Sequence, residues 1–203
     1  QSYLTMKTGH PFETNIFLEN NRARLEPLTE AHYSELLPIA LHKELWEFTG
    51  SKVNNEADFD RYFKQALKEK AAGTSYPFAI FDKQYNCYAG CTRFGNISLE
   101  NKRVEIGWTW YLPSLQKSGI NKTCKFLLLS FGFETLQLNR IELKTSIYNL
   151  KSQGAMLKIG AVKEGILRRH FINEDGVVRD TVYFSVIHEE WPAIKSTIFA
   201  EFI

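Results

Sequence analysis

Apolar residues recur along the chain in two rhythms, and the change of rhythm divides it into elements. From Ile16 to Leu28 two short strands are predicted around Asn20-Asn21, a dipeptide that tolerates the positive φ of a tight turn. Thr29 reads as a helix N-cap, with Glu30 in the first turn and Tyr33, Leu36 and Leu37 at helical spacing. Asn55 opens a second amphipathic helix, whose stripe of Phe59, Tyr62, Phe63, Ala66 and Leu67 runs on to Gly73. In the middle of the chain the period falls to two. Tyr76 to Phe81 and Tyr85 to Arg93 flank Asp82-Lys83-Gln84 as a hairpin. Arg103 to Tyr111 then alternates, which places Val104, Ile106, Trp108 and Trp110 on one face and Arg103, Glu105, Thr109 and Tyr111 on the other. Past Pro113 a helix is predicted from Asn121 to Leu136, a strand over Arg140 to Ser146 and a helix over Leu150 to Ile159. Ala161 to Arg169 and Val177 to Ile187 close the pattern as a hairpin about Asp175-Gly176.

The order ββ-α-α-βββ-α-β-α-ββ predicts an α+β fold with a single mixed, mostly antiparallel sheet and flanking helices. No Pro- or Gly-rich linker, internal repeat or long charge run divides the 203 residues. One domain is therefore expected over 14–190, with 1–13 as an N-terminal tail and 191–203 as a C-terminal segment. Gln1 to Thr5 precede Met6, so these first residues are open to being a scar of expression. A chain of this length hides roughly 70% of its unfolded surface on folding. Its 44% apolar and 24% charged residues suit a globular protein rather than a disordered or collagen-like one.

Charge and cysteine usage narrow the picture further. The 25 Lys and Arg are interspersed with 23 Asp and Glu, a net charge of +2. That leaves no basic face for nucleic acid, and no such partner is expected. No apolar run approaches the roughly 20 residues that span a bilayer. The N-terminus carries no charged-then-apolar export signal, so a cytoplasmic protein with no membrane partner is expected. Cys87, Cys91 and Cys124 cannot all pair within the chain, which fits a reducing compartment. The C-x3-C spacing of Cys87 and Cys91 has no second ligand pair behind it and the histidines are scattered, so no metal is expected.

The chemistry concentrates in one stretch. A short Gly-containing loop feeding a helix presents unpaired backbone N–H groups at the positive end of the helix dipole, a geometry that binds phosphate. Gln116-Lys117-Ser118-Gly119-Ile120-Asn121 is such a loop, although it matches neither GxxxxGK[ST] nor GxGxxG. Gln116-x-x-Gly119-x-Asn121 resembles the Q/R-x-x-G-x-G/A loop of the GNAT superfamily of acyl-CoA-dependent N-acetyltransferases. The flanking Glu105-Ile106-Gly107-Trp108 and Tyr111-Leu112-Pro113 are similar to the RimJ/RimL-type branch, which contains ribosomal-protein N-terminal acetyltransferases. Leu138 to Thr145, Asn149-x-x-Ser152, Ile159-Gly160-Ala161 and Glu164 to His170 follow that branch in the same order.

The resemblance implies direct transfer of an acetyl group from acetyl-CoA, as cosubstrate, to a primary amine, either a protein N-terminal α-amine or a small-molecule amine. A monomer or homodimer is expected. The strand over Arg103 to Tyr111 is implied to splay from Arg140 to Ser146 and so to hold coenzyme A, with Gly107 marking a bulge or making room for an aromatic neighbour. The implied cofactor contacts are Trp110, Tyr111 and Leu112 on the strand, then Gln116, Lys117, Ser118, Gly119, Ile120, Asn121 and Lys122 around the diphosphate, with Lys125 close by. Asn149 is implied to hold the pantetheine arm, or to cap the following helix, or both.

Free amines have pKa values of about 8 to 10 and are mostly charged at neutral pH, so a base near the acceptor helps. Glu105 is the candidate base; its alternative is a structural carboxylate paired with Arg103 or Lys144. Ser152 is the candidate partner of the departing thiolate, because Met156 stands where many members carry a proton-donating Tyr. Trp46 and Phe48 lie in the segment implied to line the acceptor groove, and Glu105 is expected to border it. Trp108 and Trp110 read as core. Asn121 departs from the Gly or Ala of the family loop. The rival reading is a non-catalytic acyl-CoA-binding or interaction module on the same fold.

Overall fold

A computed structural model describes residues 11–203. Residues 1–10 of the expected tail, Gln1 to Thr5 included, lie outside the described residues. The chain runs β1 (Leu18–Glu19), β2 (Ala23–Pro27), α1 (Tyr33–Ala40), α2 (Glu56–Ala71), β3 (Tyr76–Asp82), β4 (Cys87–Ser98) and β5 (Arg103–Tyr111). It continues through α3 (Ile120–Ser130), β6 (Arg140–Ser146), α4 (Leu150–Lys158), β7 (Val162–Ile172), β8 (Val178–Ile187) and α5 (Trp191–Ile198). Local chemistry sets the expected boundaries. Asn20 Oδ1 accepts from the backbone N–H of Arg22 and Ala23 and closes the β1–β2 turn. Asn55 Oδ1 accepts from Asp58 N at 3.0 Å and caps α2. α3 ends in a π-helical turn, Phe131–Thr135, so the long predicted helix changes pitch before Leu136.

Among the described residues the strands form one sheet of eight in the order β1-β2-β3-β4-β5-β6-β8-β7. Every adjacent pair is antiparallel except β5 and β6. These two pair only at Arg103↔Arg140, Val104↔Ile141 and Glu105↔Glu142, and then part. β6 continues on β8 to Ser146↔Thr181, and β5 continues on β4 to Gly90↔Tyr111. The strands therefore splay, as the resemblance implies, and leave an open wedge in the sheet.

Each face of the sheet carries its own core. Phe78, Phe94, Val104, Ile106, Leu143 and Phe184 pack beneath α3, α4 and α5, while Ala79, Cys91 and Trp110 pack with Trp46, Phe59 and Phe63 of the α1–α2 side. The alternation read from the sequence fails inside β5. Cys91 pairs with Trp110 and Arg93 with Gly107, so Trp108 and Thr109 together oppose Thr92 in a β-bulge, with Trp108 at φ 49°. The bulge reverses the faces beyond it. Trp110 joins the α1–α2 core, and Trp108, expected in the core, is 36% exposed. The C-terminal segment, to which the sequence assigned no element, forms α5, and Trp191 and Phe199 are buried in the first core.

Candidate active site

The wedge between β5 and β6 opens beside the N-terminus of α3. Gly119 is the N-cap of α3 at φ 94°, ψ −14°, a left-handed conformation that a residue with a side chain adopts only under strain. The first intrahelical bond runs from Thr123 N to Gly119 O, so the N–H groups of Gly119, Ile120, Asn121 and Lys122 have no acceptor in the helix. Lys117 is also left-handed, at φ 64°, and the two reversals fold the loop over the helix end. Arg22 fastens this loop to the sheet. Its guanidinium pairs with the fully buried Asp82 at 2.9–3.0 Å and donates to Ser118 O and Ser118 Oγ at 3.2–3.3 Å. Gln116 is held by Lys151 of α4 and donates to Tyr111 O at 3.5 Å.

On β5, Leu112 N donates across to Ala89 O, so strand alternation turns the N–H of Tyr111 away from β4, toward the wedge. The side chain of Trp110 points elsewhere, donating from Nε1 to Tyr62 Oη in the second core. The Tyr111 hydroxyl is buried against the Cys124 thiol and is raised well above the usual phenol range, first by burial. On the far side of the wedge, Asn149 caps α4 by accepting from Ser152 N at 3.1 Å, which leaves the half-buried Ser152 in the first turn of that helix. Met156 is buried in the first core.

Glu105 lies at the last paired position before the strands part. It is 3% exposed, and its Oε2 accepts from Asn96 Nδ2 at 2.5 Å and from Lys144 Nζ at 2.9 Å. Oε1 lies along Gly107, where a Cβ would come within 2.9 Å of it, so the missing side chain at Gly107 keeps this oxygen clear. The predicted pairing with Lys144 is present; Arg103 bonds Glu142 instead.

The bulge carries Trp108 into a cavity of about 320 Å³ on the α2 side, shared with Ser51, Tyr62, Gln65 and Glu174. Arg93 holds the indole there: its guanidinium lies 5.0 Å from the Trp108 ring and pairs with Glu69 at 2.9 Å. Trp46 is 3% exposed and donates to Ala40 O, so it supports the wall rather than lining the cavity, while the partly exposed Phe48 lies on the same segment.

Two of the lysines expected around the loop point elsewhere. Lys122 pairs with Glu201 at 2.7 Å. Lys125 is buried and donates to Thr109 Oγ1 at 3.4 Å, and burial pushes its ammonium down to about 8. Arg22, Arg93 and the inward turn of Lys125 were not legible in the sequence, because each depends on a partner distant along the chain. Burial pushes the Cys91 and Cys124 thiols up to about 12, which makes them poor nucleophiles. Among the described residues no group of three His, Cys, Asp or Glu is placed to hold a metal ion, and no helix is long and apolar enough to cross a membrane.

A mixed sheet with its one parallel pair splayed beside a helix N-terminus is the architecture of the acyl-CoA N-acyltransferases. A GCN5-related N-acetyltransferase from Brucella melitensis superposes with a TM-score of 0.86 at 27% identity, covering 95% of this chain and 88% of that one. The sequence profile of the acetyltransferase (GNAT) domain matches residues 22–162, and the chain belongs to that family. It is 30% identical over 106 residues to a Bacillus subtilis protein named "Putative ribosomal N-acetyltransferase YdaF", a match spanning 52% of this chain and 57% of that protein. Mycobacterium smegmatis RimJ, solved with CoA-disulfide, shares the fold at a TM-score of 0.74 and 22% identity, over 93% of this chain and 94% of that one.

Proposed function

We propose that the protein moves an acetyl group from acetyl-CoA directly to a primary amine, with a protein N-terminal α-amine as the first acceptor to test. The parting of β5 and β6 beyond Glu105↔Glu142, beside four N–H groups of the α3 N-terminus that have no acceptor among the described residues, carries this reading. The name of YdaF favours the ribosomal-protein class of acceptor.

Acetyl-CoA supplies an acyl group already activated as a thioester. The N–H groups from Gly119 to Lys122 and the dipole of α3 suit its diphosphate, and Arg22 keeps the loop in place. Tyr111 N–H is the donor for the carbonyl oxygen as it gains charge, a role worth about 3 kcal/mol in comparable sites. Glu105 Oε1, clear of Asn96 and Lys144, takes the proton of the acceptor amine, directly or through one water. The Ser152 hydroxyl, at the positive end of α4, donates to the departing sulfur. The acceptor approaches from the cavity floored by Trp108.

Glu105→Gln and Ser152→Ala are each expected to lower turnover at least tenfold while CoA still raises the melting temperature, with thiol release and acetylated product measured together. Unchanged turnover in both variants removes these roles. Stabilisation by CoA without thiol release, across a panel of N-terminal peptides, polyamines and aminoglycosides, selects the binding-module reading instead.

A further inference from the structure

On the α2-facing side of the sheet, β8 carries a cation without an anion. Among the described residues, Arg179 Nε and Nη1 are buried with no hydrogen-bond partner, and Thr181 Oγ1 is buried in the same condition. Burial without a counter-charge lowers the Arg179 guanidinium from its usual range. The nearby carboxylates are already engaged. Asp175 pairs with Lys52, Glu174 Oε2 accepts from Lys52 N, and Asp180 Oδ1 accepts from Arg169 N. What supports the guanidinium is a ring: Phe171, its cross-strand partner on β7, lies 5.0 Å below it.

The register places this cation on the stretch of β8 beyond the point where β5 and β6 part. Thr181 pairs with Ser146, the last residue of β6, and Ser146 lies as far beyond Glu142 as the bulge residue Thr109 lies beyond Glu105. Arg179, Thr181 and Tyr183 share one face of β8. That face meets the Glu105 side of the sheet, because Lys144 lies over the Tyr183 ring at 5.8 Å and bonds Glu105. The β7–β8 hairpin is also docked onto the acceptor side. Glu174 N donates to Gly50 O, and a Cβ at Gly50 would come within 2.5 Å of the Phe171 ring, so that ring packs directly on the Gly50 backbone. Glu174 itself lines the Trp108 cavity. The Arg179 guanidinium and the Thr181 hydroxyl, on the hairpin whose Glu174 lines that cavity, offer hydrogen-bond donors and a positive charge to a carboxylate.

We propose that Arg179, assisted by Thr181, is a carboxylate-binding subsite of the acceptor pocket, and that the preferred acceptor carries a carboxylate close to the amine to be acetylated. The inference rests on the acetyltransferase reading above. The carboxylate has two sources, the α-carboxylate of a free amino acid or the side chain of an acidic residue next to a peptide N-terminus.

The test compares matched acceptors: amino acids against their carboxamides, and peptides beginning Ser-Asp or Ser-Glu against Ser-Asn or Ser-Gln. The wild-type protein is expected to favour the carboxylate member of at least one series by tenfold or more in kcat/KM, and the responding series names the source. In Arg179→Met that ratio is expected to fall to within twofold of one, and in Arg179→Lys to an intermediate value. CoA-induced thermal stabilisation, measured on each variant, verifies the fold and the cofactor site. Acetylation of carboxylate and neutral partners at equal efficiency by the wild type, or a ratio unmoved in a folded Arg179→Met, overturns the subsite and leaves the acetyltransferase reading standing. Absence of acetyl transfer to every member overturns both.

Discussion

Lys125 sits on the inner side of α3 with its amine against Thr109, and among the described residues Cys124 is the one ionisable group that acts on it appreciably. Its ammonium is charged in the folded protein only below about 8, against 10.5 for an exposed lysine. Because the folded value is the lower one, the unfolded chain binds more protons between these limits, and stability rises with pH across that window. Below it the full penalty applies, about 3 kcal/mol. Lys125→Met is therefore expected to melt higher than the wild type at pH 7, with the gap closing as pH approaches 10.5. The buried thiols and Tyr111 titrate in both proteins and largely cancel in the difference. Urea or thermal unfolding of the pair at several pH values checks this, and a gap independent of pH contradicts it. In the sequence Lys125 looks like Lys122, one more cation near a glycine loop. Their fates diverge because Lys122 in the first turn of α3 reaches Glu201 while Lys125, one turn on, meets Thr109 of the sheet, and nothing local says which surroundings are wet.

At the scale of elements, the loop ahead of α3 was legible, while β5 was legible in its bounds and not in its faces. The glycine-containing loop ahead of a helical pattern reads as a source of unpaired N–H groups, and Gly119 stands there as a left-handed N-cap. No atom lies within 4 Å of a Cβ built there, so the requirement is conformational: a side chain strains the backbone at φ 94° and tilts the free N–H groups off their common target. Gly119→Val is expected to weaken CoA binding at least a hundredfold while leaving the fold intact, as read by calorimetry and circular dichroism; wild-type affinity rules out the cradle. The strand was predicted with its observed bounds, but its faces were not. Trp108 and Trp110 are both large and apolar, so the alternating pattern continues unbroken through a bulge that turns one of them outward. Glu105, ahead of the bulge, was legible both as a candidate base and as the partner of Lys144.

Across the whole molecule, stability on the α3 side depends on a segment that the sequence pattern left unassigned. Phe199 is fully buried among Phe126, Trp191 and Phe202, with ring centroids 5.6–6.2 Å away. Phe199→Ala is expected to destabilise by about 3–5 kcal/mol, the usual range for removing a buried aromatic ring. The same packing brings Glu201 to Lys122 in the first turn of α3, so the variant is also expected to weaken CoA binding through that helix. Denaturant unfolding beside CoA titration checks both effects, and a change below 1 kcal/mol shows that the C-terminal segment contributes little.

The chain's own periodicities determined the order of strands and helices up to β8, the single sheet and the glycine loop ahead of α3, because these follow from local spacing, turn chemistry and helix capping. The tertiary structure alone decided where β5 leaves β6, which way Trp108 faces, which lysine is buried and that Arg179 has no counter-ion among the described residues. Each of those depends on groups that meet only when distant segments pack. An interior of low polarity then gives the same side chain a different charge, partner or exposure from the one its neighbours in the sequence suggest.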